Sequence, residues 1–95
     1  MILTDLQQHI IQLLQPYQPA RISIFGSYAR GEQRLDSDLD ILILFKERIG
    51  LLKLVAIEQE LSDKMGIKVD LVTENAVKNP RLKAAIEQDL ITIFQ

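Results

Sequence analysis

The chain contains no cysteine and a single histidine, His9. The first absence excludes disulfides and any thiolate metal site. The second excludes a multi-histidine zinc site and leaves oxygen ligands as the main resource for binding a metal. There is no basic excess either: the formal net charge is -2, so no direct nucleic-acid binding is expected. No apolar run approaches the ~20 residues of a membrane-spanning helix. The start also lacks a basic segment followed by an apolar stretch. The expectation is a soluble cytoplasmic chain without membrane contact. Internal repeats, low-complexity tracts and linkers are missing too, so residues 1–95 read as one domain. A domain this short buries only ~60–65% of the surface its unfolded chain exposes, which favours a stabilising partner or self-association.

What is present is an ordinary globular balance, 47% hydrophobic and 25% charged. Thr4 reads as an N-cap for a helix carrying Leu6, Ile10, Leu13 and Leu14, stopped near Gln15 by Pro16 and Pro19. His9 lies beside that stripe as a surface or core-edge residue. Residues 21–26 alternate Ile22, Ile24 and Gly26 against Ser23 and Phe25, which predicts a strand. One helical turn follows, closed by Gly31, and then a polar connection over 32–37. Residues 39–45 form the most apolar run and read as a strand buried on both faces. An amphipathic helix over 50–65 carries Leu51, Leu54, Val55, Ile57, Leu61 and Met65, with Glu58 among them, and closes at Gly66. A strand over 68–72 comes next. Asn79 then caps a helix that begins at Pro80 and runs to about Gln88. The tail, Leu90 to Phe94, reads as a short strand or a helix extension. The fold class is α/β (α+β), a small mixed sheet flanked by helices.

Two features carry chemistry together. Asp38 and Asp40 are two apart at the start of a strand and so point to one face. Two carboxylates held close and partly buried repel, and a divalent cation such as Mg²⁺ removes that difficulty. Asp70 is a lone acid in the apolar strand V-D-L-V. If that strand is adjacent, Asp70 joins the pair, and the three acids become the ligand set of a two-ion phosphoryl-transfer site with Asp70 helping to accept the proton. The other half is a phosphate cradle. Gly26 admits close backbone approach, Ser27 opens a turn of helix whose free N–H groups favour an anion, and Arg30 offers a fork of donors on the same side. Tyr28, within the turn, is expected to pack. Lys53, Lys64 and Lys68 are expected to be a solvated face.

The run G-S-Y-A-R-G-E-Q-R-L-D-S-D-L-D-I-L-I resembles the signature of the nucleotidyltransferase superfamily that includes DNA polymerase beta. Its wording is most similar to the minimal nucleotidyltransferase (MNT) family, and the resemblance covers nearly the whole chain. It implies a single nucleotidyltransferase-fold domain. Asp38, Asp40 and Asp70 would be the catalytic metal ligands, and Gly26, Ser27 and Arg30 would hold the triphosphate. The substrate it implies is ATP, with AMP transferred and pyrophosphate released. Many MNT proteins act as antitoxins by attaching AMP to a tyrosine of a HEPN ribonuclease toxin, so a HEPN-type toxin is the implied partner. Larger relatives carry extra domains for the acceptor, whereas the residues after Asp70 suffice here for one helix and a short tail, so a macromolecular acceptor is expected.

A second reading is a binding module that neutralises its partner by contact. It draws on the first helix's apolar stripe and on the tail residues Leu90, Ile91, Ile93 and Phe94, each able to contribute roughly 1.5–3 kcal/mol on burial. The alternative is that both stripes simply close the core, and for the first helix the core is the favoured reading. A third, transfer to a small molecule, would need a dimer to complete the acceptor site.

Overall fold

In the computed structural model, which describes residues 3–95, helix α1 spans Leu3–Leu14. Leu6, Ile10 and Leu14 recur one turn apart on its inner face and are buried. Thr4 therefore lies inside α1 and is not its cap. Met1 and Ile2 fall outside the described residues. A 3-10 turn over Gln15–Tyr17 carries Pro16 in its first turn, and Gln18, in the left-handed region at φ 56°, redirects the chain. Strand β1 (Pro19–Phe25) follows, then the short helix α2 (Gly26–Arg30) and strand β2 (Leu39–Phe45). Helix α3 (Leu51–Met65), strand β3 (Val69–Thr73), helix α4 (Pro80–Gln88) and strand β4 (Ile91–Phe94) complete the order. Among the described residues no helix is long and apolar enough to cross a membrane.

The strands form one mixed sheet in the order β3-β2-β1-β4. β1 pairs antiparallel with β2 and with β4, and β2 pairs parallel with β3 through the α3 crossover. Period-two alternation divides the sheet cleanly. One face presents Ile22, Ile24, Leu39, Ile41, Ile43, Val69 and Leu71, which share a core with Leu6, Ile10 and Leu14 of α1 and with Ile57, Leu61 and Met65 of α3. The other face carries Ser23, Asp40, Leu42 and Asp70. There Ile86 of α4 and Leu42 help line a cavity of about 330 Å³.

One expectation changes and two open alternatives are decided. The tail is a strand, and β4 on the flank of β1 makes β1 internal, so Ser23 is buried on the second face with its hydroxyl donating to Thr92 Oγ1 at 3.2 Å. Leu51 and Val55, counted in the inner stripe of α3, are exposed, because the buried arc of that helix follows Ile57, Leu61 and Met65 instead. The α1 stripe and the tail side chains Ile91, Ile93 and Phe94 pack on the core, which is the core-closing alternative for both. Asn79 caps α4 as expected: its Oδ1 accepts the N–H groups of Arg81 and Leu82, with Pro80 in the first turn. Gly31 and Gly66 close α2 and α3 in the left-handed conformation, at φ 71° and 67°.

Candidate active site

The two halves of the site meet where β1 ends and β2 begins. Antiparallel pairing sets Phe25 opposite Asp40, so Gly26 turns directly over that carboxylate. Gly26 adopts φ 74°, and a Cβ there would run into Asp40, whose Cγ would lie 3.2 Å away. Glycine is thus required twice, by backbone conformation and by close approach. No side chain caps the N-terminus of α2, and the helix ends as Glu32 N–H donates to the Ser27 carbonyl at 2.9 Å. Tyr28 packs against the core, as expected.

Parallel pairing places Asp40 and Asp70 directly opposite each other. Leu39 begins this pairing by donating its N–H to the Lys68 carbonyl at 2.8 Å. Burial holds the Asp40 carboxyl above its ordinary range, and the neighbouring Asp70 and Asp38 charges raise it further, with Arg30 opposing. The field of both acids at Asp40 brings the three carboxylates into one electrostatic neighbourhood. Asp38 sits at the mouth of β2 with half-exposed oxygens, one of them 3.8 Å from Lys68 Nζ. Lys68, with its side chain 79% exposed, is part of a solvated face as expected, and that face borders the acids.

Among the described residues no three acidic side chains converge tightly enough to enclose an ion by themselves. The donor set nevertheless suits a hard divalent cation. It is all oxygen, it carries mutually repelling charge, and it leaves coordination positions for phosphate oxygens and water, as Mg²⁺ requires.

Arg30 does not stand free over the turn. Its Nη1 donates to Asp89 Oδ2 at 2.9 Å, and its Nε lies 3.3 Å from Glu32 Oε1. Asp89, at the end of α4, is a partner of Arg30 that sequence reasoning missed. Two more missed residues lie on α3. Glu58 Oε2 accepts the N–H of Leu71 at 2.8 Å, and Ser62 Oγ accepts that of Val69 at 3.0 Å. These are the amides on either side of Asp70. An acid within the apolar arc of α3 was the available signal for Glu58. Nothing local marked Asp89.

The chain matches the nucleotidyltransferase domain family over residues 6–93. It belongs to that family. An inferred protein adenylyltransferase of Methanocaldococcus jannaschii is 53% identical over 88 residues, covering 93% of this chain and 90% of that protein. The protein adenylyltransferase MntA of Thermococcus cleftensis is 37% identical over 83 residues, with 87% and 84% covered. Among solved structures, a chain of a toxin–antitoxin complex crystallised with AMP-PNP superposes with a TM-score of 0.83 at 26% identity, covering 93% of this chain and 72% of that one. A minimal nucleotidyltransferase superposes with a TM-score of 0.76 at 35% identity, covering 94% and 90%. The mixed sheet with flanking helices is therefore the nucleotidyltransferase fold expected from the Gly-Ser and Asp-x-Asp wording.

Proposed function

We propose that this nucleotidyltransferase is a protein adenylyltransferase that transfers AMP from ATP to a hydroxyl of a partner protein in the cytoplasm, and so acts as the antitoxin of a HEPN-type toxin. The observation that carries the reading is the Asp40–Asp70 pair, set opposite each other on parallel strands with Gly26 turned over Asp40. The names of the adenylyltransferase relatives and the toxin–antitoxin neighbour support it.

In this reading Gly26 and Ser27 receive the triphosphate through backbone N–H groups, and Arg30 adds charged donors. Asp38, Asp40 and Asp70 would hold Mg²⁺, which supplies charge neutralisation for phosphate and acceptor oxygens. The acceptor oxygen attacks the α-phosphorus as the bond to the bridging oxygen breaks and pyrophosphate departs. Asp70, the most exposed strand acid, would take the acceptor's proton on its carboxylate. A tyrosine hydroxyl of the toxin is the acceptor the family resemblance implies.

The contact-only antitoxin draws less support, because the α1 stripe and the tail residues Ile91, Ile93 and Phe94 pack on the core. The deciding experiment is incubation with labelled ATP, Mg²⁺ and the protein encoded beside this chain, read by intact mass. A gain of AMP units that is lost in Asp38→Asn establishes the reading. A stable complex without any mass gain overturns it.

A further inference from the structure

We propose that Asp89 is a positioning residue that aims the Arg30 guanidinium at the nucleotide phosphates. This rests on the reading of Gly26, Ser27 and Arg30 as the triphosphate cradle, and it adds a residue from the far end of the chain to that site.

Arg30 is the last residue of a five-residue helix, and its side chain is 42% exposed. Left alone, a long side chain in that place would be distributed over many rotamers. Asp89 Oδ2 accepts from Nη1 at 2.9 Å, and Glu32 Oε1 lies 3.3 Å from Nε. A guanidinium is a rigid planar fork, so fixing one edge sets the direction of the donors that remain. The two anchors are unequal: the Asp89 side chain is 26% exposed and that of Glu32 is 66% exposed. Glu32 belongs to the polar connection, whereas Asp89 is tied at both ends.

On one side its own N–H donates to the Ile86 carbonyl at 3.3 Å, within a turn of the buried Ile86 side chain. On the other side β4 begins at once, and Ile91 pairs with Ile24, two residues before Gly26. Asp89 is therefore referenced to the same strand end that presents the cradle. Arg30 ends the same short helix that Gly26 opens over Asp40, so the guanidinium springs from one helical turn beyond the residue that covers the acid. A carboxylate beside a phosphate-binding arginine could instead compete with phosphate for it. The two roles predict opposite signs.

The test is titration of AMP-PNP with Mg²⁺ into wild type, Asp89→Asn, Asp89→Ala, Arg30→Ala and the Arg30→Ala/Asp89→Ala double variant, read by calorimetry. Loss of one charge-assisted bond predicts that Asp89→Ala weakens binding by about 5–10-fold. Asp89→Asn, which keeps an accepting oxygen, should weaken it less, and Asp89→Ala should change nothing once Arg30 is gone. Unchanged or tighter binding in Asp89→Ala overturns the proposal in favour of competition. An equal loss in the Arg30→Ala background overturns it in favour of a role confined to packing α4. Wild type that binds no AMP-PNP overturns the cradle reading and the positioning role together. Because the readout is binding, the outcome does not depend on identifying an acceptor.

Discussion

Glu58 on α3 accepts the backbone N–H of Leu71, the residue next after Asp70 on the edge strand β3. With Ser62 accepting at Val69, both outward amides around the third acid are tied to one helix. Glu58→Ala leaves a partly buried amide without its partner, a cost of about 1–3 kcal/mol. For a domain of this size each kcal/mol lowers the melting temperature by roughly 4–8 °C. Thermal unfolding and amide exchange at Leu71 check this. Glu58→Gln, which retains an accepting oxygen, should recover most of the loss, and a Glu58→Ala protein with unchanged melting and exchange contradicts it.

The legible parts of this molecule were those encoded locally. Gly31 and Gly66 ended helices where the sequence placed the ends, Asn79 and Pro80 opened α4, and Leu39 to Phe45 announced a buried strand by composition alone. Asp40 and Asp70 were readable as acids within apolar strands, but that they stand opposite each other depends on the pairing of β2 with β3. What stayed hidden depended on pairing at long range. The burial of Ser23 depends on β4 pairing beside β1, and Arg30 and Asp89 are separated by 59 positions. The bidentate pair from Arg21 to Glu74, with bonds of 2.7 and 2.6 Å, spans 53. Leu51 and Val55 fitted the helical period of α3 yet lie off the arc that the sheet covers.

Gly26→Ala and Gly31→Ala separate two kinds of glycine. Both positions have positive φ, which costs an alanine about 1–2 kcal/mol. At Gly31 an added Cβ meets open space, whereas at Gly26 it strikes the Asp40 carboxylate. Gly31→Ala is expected to melt several degrees lower while retaining transfer. Gly26→Ala should melt lower still and lose transfer, because Asp40 must move. Equal activities for the two variants, measured against labelled ATP, would refute the distinction.

If Asp40 holds the metal as proposed, Asp40→Asn should abolish transfer, by more than about 100-fold, without harming the fold. Burial first, then Asp70 and Asp38, hold the Asp40 carboxyl above its ordinary value of 3.8. The folded chain therefore binds this proton more tightly than the unfolded chain. The resulting stability is fully present below the unfolded value and is lost as pH rises through the raised folded value. In chelator, the melting temperature of Asp40→Asn relative to wild type should thus be more favourable at pH 7 than at pH 4. Saturating Mg²⁺ at pH 7 should narrow the gap by stabilising wild type. A relative melting temperature that does not vary with pH contradicts the prediction.

Asn79→Ala removes the acceptor for the Arg81 and Leu82 amides, which costs about 0.5–2 kcal/mol. Unfolding in denaturant should show a lower midpoint with an unchanged slope. A changed slope would mean that α4 no longer docks at all.

The turn at Gly26, Ser27 and Arg30 and the acids Asp38 and Asp40 all lie within one antiparallel hairpin, β1 to β2, while Asp70 reaches them only through the crossover of α3. The consequence lies in the order of events as the chain folds. A short loop closes at lower entropic cost than a long one, and local pairings form ahead of distant ones. The hairpin is thus favoured to bring Gly26 over Asp40 early, and Asp70 joins only when β3 docks. Until then the chain has the proposed phosphate cradle without the third acid, so in the proposed function competence for transfer arrives with the closing of the sheet.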